Sequence, residues 1–246
     1  MNLIPKKIYQ VWHDKNPKPI FKKYIDDVLK NNPGYEYELF GEEDMKTFVC
    51  ENFDQEIVEC YNKLNIITAK VDFWRYLILY KNGGIYLDID STFLKPLDEL
   101  INNESAIITR EPNSPFEYVQ WALFFCKNHP ILKKTIDNVV YHIKNKLFAD
   151  NVGRMTGPYP YTLAIDEVNK LAGCKIDRTD PNLWSYDPNI NQYPDENFYY
   201  NDYSYRIYGI QYGSFALSWV PEKDTMYSNE NPHWTVEQKY KSVLRS

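Results

Sequence analysis

The sequence is 246 residues long, 43% hydrophobic and 25% charged, with 28 Lys and Arg against 34 Asp and Glu for a formal net charge of −6. A chain of that length buries roughly 70–75% of the surface it exposes unfolded, so it needs neither disulfides nor a structural metal to fold. The acidic balance argues against a protein whose main partner is the phosphate backbone of a nucleic acid. No apolar run approaches the roughly 18 residues of a membrane span. The opening Met1–Lys7 has no apolar core followed by a small-residue cleavage site, so the expected location is cytoplasmic.

Residue scarcity excludes more. The four cysteines (Cys50, Cys60, Cys126, Cys174) form no CxxC and read as free thiols rather than a zinc or redox motif. None of the nine glycines forms a G-x-G, which removes the dinucleotide fingerprint and the Walker A loop. There is no H-E-x-x-H and no G-x-S-x-G. Aromatic residues are abundant instead, at 16% of the chain, enough for a core and for stacking on sugars or bases.

In chain order, Lys7–Trp12 reads as a short strand followed by a polar loop. Phe21–Leu29 has helical spacing (Phe21, Tyr24, Ile25, Val28, Leu29) and is stopped by Asn31-Asn32-Pro33-Gly34. Tyr35–Phe40 alternates as a strand, and Glu42–Leu64 holds one or two short helices. The spacing predicts a helix over Ile66–Lys81, ended at Asn82-Gly83-Gly84, where glycine can take the left-handed cap. Ile85–Ile89 is a compact apolar strand. Further strands are expected at Ala106–Thr109 and Tyr118–Phe125, and a helix at Pro130–Lys146. This alternation predicts an α/β fold with a mainly parallel sheet flanked by helices. The Pro-, Asn-, Asp- and Tyr-rich stretch Asp177–Asp202 reads as long irregular loops. One domain is expected over 1–246, with an α/β core in 1–150 and a loop-rich part in 151–246.

The chemistry concentrates in Ala69–Asp90. The predicted helix is apolar almost all round, which marks it as buried, yet it carries Asp72 and Arg75. At i, i+3 they share one face. They form either a local ion pair or the wall of a polar pocket, with a carboxylate to accept hydroxyl hydrogen bonds and a guanidinium to face an anion. Asp88 and Asp90 follow at the carboxyl end of the apolar strand, where i and i+2 project to one face. Two such carboxylates repel unless a cation sits between them, and a hard divalent ion is the usual answer.

The segment Asp72, Arg75, Gly83, Gly84, Tyr86, Asp88, Asp90 resembles the nucleotide-sugar site of the family-32 glycosyltransferases, the DXD sugar-binding group, and of the glucosylating bacterial toxins. Ile4–Trp12 is similar to that family's opening strand, Thr156-Gly157-Pro158 to a weaker signature, and Ser218-Trp219 to its closing pair. The resemblance implies a GT-A fold and a metal-dependent, retaining transfer of a hexose-type sugar. The donor would be a UDP- or GDP-sugar and the acceptor a glycan, protein or lipid. It implies Mn2+ or Mg2+ held by Asp88 and Asp90, with Gln211 or His233 as candidates to complete the site. Asp88, Asp90 and Arg75 are the implied catalytic residues. Val11, Trp12, Asp72, Arg75, Tyr86, Asp88, Ser218 and Trp219 are the implied donor-binding set. Trp12 is either a stacking face for the base or an ordinary core tryptophan.

Other classes fit less well. Asp88-Ile89-Asp90-Ser91-Thr92 has the form of a haloacid-dehalogenase phosphatase nucleophile motif, but the chain has no Gly-Asp dipeptide for the downstream metal motif. A glycoside hydrolase flanks a sugar ring with carboxylates about 5–9.5 Å apart, whereas an i, i+2 pair converges on one point. A relative that binds sugar or nucleotide without turnover is the remaining alternative.

Overall fold

A computed structural model describes residues 3–110, 117–172, 196–200, 203–211, 217–219, 221 and 233–245; between 196 and 219 only Tyr203 and Tyr205 have described side chains. The sheet follows the order β2-β1-β3-β6-β5-β8-β7. These strands are β1 (Lys7–Val11), β2 (Glu36–Phe40), β3 (Gly84–Leu87), β5 (Ala106–Arg110), β6 (Ala122–Phe125), β7 (Glu196–Tyr200) and β8 (Tyr203–Gln211). β1 is parallel to β2 and β3, and β5 to β8, while β6 and β7 run antiparallel to their neighbours. Five of the seven strands therefore point one way, the mostly parallel α/β sheet that the alternation of elements predicts. A two-stranded ribbon pairs β4 (Ser91–Phe93) with β9 (Leu217–Trp219).

Side-chain alternation splits the core into two layers. Ile8, Ile85 and Leu87 join the cluster on one face of the sheet, and Tyr9 and Tyr86 join the larger cluster on the other. The helices include α1 (Pro19–Asn31), α2 (Glu42–Asn52), α3 (Gln55–Lys63), α4 (Ile67–Asn82), α5 (Leu97–Leu100), α6 (Pro130–Lys144), α7 (Val152–Met155) and α8 (Pro158–Leu171). The larger cluster is built around α4, which buries Phe73, Trp74, Tyr76, Leu77, Ile78 and Leu79 and so has no solvent face in its middle. α2, α6 and α7 pack around it.

The Gly83-Gly84 pair is a structural necessity of this packing. Both have positive φ, 69° and 114°. A Cβ on Gly83 would lie 2.7 Å from the Lys127 nitrogen, and one on Gly84 2.7 Å from the Lys7 carbonyl oxygen. The chain leaves α4 and enters β3 in a space that admits no side chain.

Two expectations about extent are corrected. The strand expected over Tyr118–Phe125 is shorter, Ala122–Phe125, because the approach to it is used for the polar contacts described below. The stretch expected to be irregular contains β7, and β8 starts just beyond it. Aromatic residues suit a pleated surface, and here they outweigh the neighbouring Asn and Asp. The rest of that stretch, 177–195 and 201–202, lies outside the described residues.

His129 sits before the first turn of α6, wholly buried, and its Nδ1 accepts from the Ile131 N–H at 3.3 Å. Phe125, Tyr203 and Tyr205 present ring edges to it, and burial pushes its pKa down to about 3. The unfolded chain takes up this proton near pH 6.5 and the folded chain does not. Stability is therefore complete above about pH 6.5 and falls as the pH drops toward 3, by about 1.4 kcal/mol per pH unit once the unfolded histidine is charged. Burial shifts His142 in the same direction. Urea midpoints at pH 7.5, 6 and 5 are expected to show this slope, and His129→Asn, which keeps a capping acceptor, to flatten it by about one proton.

Candidate functional site

The buried middle of α4 delivers Asp72 and Arg75 to the edge of the sheet where β1 and β3 end and β6 begins. Arg75 Nη2 lies 3.1 Å from Asp72 Oδ1 and 3.3 Å from Asp88 Oδ1; the Asp72 and Arg75 side chains are about 95% buried, whereas Asp88 is 26% exposed. Arg75 Nη1 donates to the Gln120 carbonyl at 3.0 Å, and the guanidinium lies over the Tyr86 ring at 4.5 Å. Asp72 receives two further donors, Gln120 Nε2 on Oδ1 at 2.9 Å and the Thr156 hydroxyl on Oδ2 at 3.1 Å. Burial pushes the Asp72 carboxyl above the usual carboxylate range, and Arg75 beside it pulls the other way. Every group directed at its oxygens is a donor, the arrangement of a carboxylate. Burial disfavours the charge on Arg75, but Asp88, Tyr86 and Asp72 outweigh it and hold the pKa above its ordinary value.

β3 ends at Leu87, so Asp88 and Asp90 stand in a turn and not on the strand that was expected to run to Ile89. The Asp88 carbonyl closes this turn by accepting from Ser91 N–H at 3.1 Å and Ser91 Oγ at 2.7 Å. Strand periodicity therefore does not orient the two carboxylates; the turn brings them to one end of the sheet. Asp88 N–H donates to the Trp121 carbonyl at 2.8 Å, which fastens the turn to the start of β6. The Tyr86 hydroxyl donates to Asp88 Oδ1 at 2.6 Å, and burial holds the tyrosine in its neutral form. Both contacts of this carboxylate fall on Oδ1, and Oδ2 has no partner among the described residues. Asp90 is buried, at 7% exposure.

Val11 ends β1, and Trp12 follows it at the same sheet edge. The indole is buried, 5.5 Å from the Phe21 ring and in one cluster with Ile25 and Ile89, the residue between the two aspartates. Backbone pairing places Trp219 opposite Ser91 and Ser218 opposite Thr92, one and two residues beyond Asp90. Gln211 pairs with Arg110 at the end of β8; its side chain lies outside the described residues. His233 Nδ1 lies 2.7 Å from the Thr235 hydroxyl, and among the described residues no three His, Cys, Asp or Glu side chains form a metal-ligand group. His233 is thus not assembled with Asp88 and Asp90.

Two polar residues that the sequence reading passed over, Gln120 and Gln10, belong to the site, as does Thr156, which was read only as part of a weaker signature. Gln120 and Thr156 hold Asp72. Gln10 reaches the Asp88 carbonyl at 3.4 Å and accepts from the Tyr37 hydroxyl at 3.0 Å. The available signal was polarity out of place, since Gln120 is the one hydrophilic side chain outside the aromatics in Tyr118–Cys126, and Gln10 interrupts an apolar strand.

Arg75 is shared between the Asp72 and Asp88 carboxylates, a formal excess of one negative charge, and Asp90 adds a further carboxylate two residues along the turn. A diphosphate brought there would be repelled, and a hard divalent cation with oxygen ligands would offset both sets of charge. Asp88 Oδ2 and Asp90 are the donors that suit such an ion.

The family model described as "Glycosyltransferase sugar-binding region containing DXD motif" matches residues 19–107, the span that holds Asp72, Arg75, Asp88 and Asp90. The "Uncharacterized glycosyltransferase L373" of Acanthamoeba polyphaga mimivirus is 30% identical over 178 residues, 64% of this chain and 68% of that protein. The "Initiation-specific alpha-1,6-mannosyltransferase" of Candida albicans is 26% identical over 55% of this chain and 42% of its own length. The chain thus spans about two thirds of the viral relative and under half of the fungal one. Among solved structures, "PaToxG Glycosyltransferase" superposes with a TM-score of 0.57 at 25% identity, covering 70% of this chain and 72% of that one.

Proposed function

The chain belongs to the glycosyltransferases whose sugar-binding region contains the DXD motif, and on that premise we propose that it transfers a hexose from a UDP- or GDP-sugar to a glycan, protein or lipid acceptor, with retention at the anomeric carbon and dependence on Mn2+ or Mg2+. The observation that carries the reading is the buried Arg75 shared between Asp72 and Asp88 at the end of the sheet, with Asp90 two residues further along the DXD turn. The residues divide the work by position. Asp88 and Asp90 would hold the metal, which neutralises charge developing on the leaving diphosphate when it is bound. Arg75 and Asp72 stand one helical turn apart and would fix the sugar beside that diphosphate. Val11, Trp12, Ser218 and Trp219 would bound the nucleotide from the neighbouring strand ends.

The direct test is incubation with a panel of UDP- and GDP-hexoses, GDP-mannose included, in Mn2+ with and without oligosaccharide acceptors. Release of nucleoside diphosphate is expected; release of inorganic phosphate alone, or of nothing across the panel, would overturn the reading. A second expectation concerns binding without turnover. Calorimetry with the nucleoside diphosphate of the preferred donor is expected to give at least a tenfold weaker affinity in EDTA than in Mn2+, because acidic side chains then face the phosphates without the bridging metal. Equal affinities would remove the metal from the account.

A further inference from the structure

We propose that Gln120 is a positioning residue for the sugar-facing pair, setting where Arg75 points by fastening both members of the Asp72–Arg75 couple; the proposal rests on the glycosyltransferase reading above. Gln120 is 9% exposed and stands just before β6, where the sheet edge carries the DXD turn. Its two halves grip opposite charges. The side-chain amide donates to Asp72 Oδ1 at 2.9 Å, and the main-chain carbonyl accepts from Arg75 Nη1 at 3.0 Å. The next carbonyl, that of Trp121, accepts from Asp88 N–H at 2.8 Å. One dipeptide thus touches Asp72, Arg75 and Asp88, although it lies 48 and 45 residues from the first two.

The consequence follows from how Arg75 Nη2 is shared. That nitrogen is 3.1 Å from Asp72 and 3.3 Å from Asp88, a near-even division of one charge between two carboxylates. The Gln120 amide satisfies part of Asp72 and so leaves Arg75 available to Asp88 and to whatever lies beyond it. With the amide removed, Asp72 Oδ1 keeps Arg75 as its donor in a nearly dry site. The loss of a hydrogen bond to a buried charge strengthens the pull on the remaining partner. Arg75 then turns toward Asp72 and away from the sugar side. Gln120 itself needs no contact with the donor for this effect.

The test uses Gln120→Met, which keeps the length and volume of the side chain and removes the donor. Calorimetry in Mn2+ is run with the nucleoside diphosphate and with the intact nucleotide sugar, and donor turnover is measured at saturation, all well below the melting temperature. The expected pattern is nucleoside diphosphate affinity within about twofold of wild type, with the added affinity due to the sugar reduced and kcat lowered by about 10- to 100-fold, the size expected for one bond to a buried charge. Gln120→Asn draws the amide back by one methylene and is expected to show the same split more weakly; it serves where the Met variant does not fold. Unchanged sugar-dependent affinity and kcat would overturn the positioning role while leaving the glycosyltransferase reading intact. An equal loss for both ligands, tracking a lowered melting temperature, would also overturn it, since Gln120 would then be a folding residue only. A wild-type protein that binds neither ligand in Mn2+ would remove the parent reading, and the proposal with it.

Discussion

Asp90→Asn is expected to abolish sugar transfer, by at least about 100-fold in kcat, while leaving the protein folded. Asparagine has the shape of aspartate and keeps a carbonyl oxygen, so the buried position in the turn tolerates it; what it removes is one of the two charges that answer a divalent ion. The rate loss is that of removing one electrostatic stabiliser of the leaving group. Without metal the variant is expected to stay folded, since asparagine fills the same volume at the same place in the turn. With metal, the stabilisation that Mn2+ gives the wild type is expected to shrink in the variant, because a ligand stabilises only as far as it binds the folded state. Melting curves with and without Mn2+, read beside turnover, check both halves. A variant that turns over normally would sink the assignment of Asp90.

The helix α4 and the strand after it were legible because their signals are local: an apolar run of helical length, a Gly-Gly stop and an apolar burst. The sharing of one face by Asp72 and Arg75 was equally legible, since i, i+3 spacing guarantees it on any helix. The closure of the pair was not. Gln120 and Thr156 reach Asp72 from 48 and 84 residues away, and only the pairing of β6 with β3 and the packing of α7 against α4 bring them there. The end of β3 was misplaced for a related reason. Ile89 continues the apolar pattern, but Ser91 captures the Asp88 carbonyl and turns the chain, and Ile89 packs on Trp12 instead of extending the sheet. β7 and β8 were missed or blurred because Asn and Asp around them mimic a loop, while their aromatic residues pair with the sheet.

Trp12→Ala is expected to cost about 3–5 kcal/mol of stability, the range for truncating a buried tryptophan. At 8% exposure the indole packs in one cluster with Phe21, Ile25 and Ile89, so its removal leaves a cavity beside α1 and the DXD turn. Ile89 makes this loss more than a matter of packing. It separates Asp88 from Asp90, so withdrawing its backing loosens the turn that presents both carboxylates. Trp12→Phe keeps a ring against Phe21 and is expected to recover more than half of the stability. The role in base recognition is read separately, by donor titration at a temperature where each variant is fully folded. Base–aromatic stacking is worth roughly 1–3 kcal/mol, so a stacking indole predicts a donor constant raised about five- to 150-fold in the Ala variant with kcat at saturation little changed, because the base lies away from the breaking bond. A turn loosened by the loss of Ile89 packing predicts the opposite split, a lowered kcat and a weakened response to Mn2+ with a smaller change in the donor constant. The burial of Trp12 places the stability loss first, and the ratio of the two kinetic effects then assigns its exposed edge to the nucleotide or to the turn.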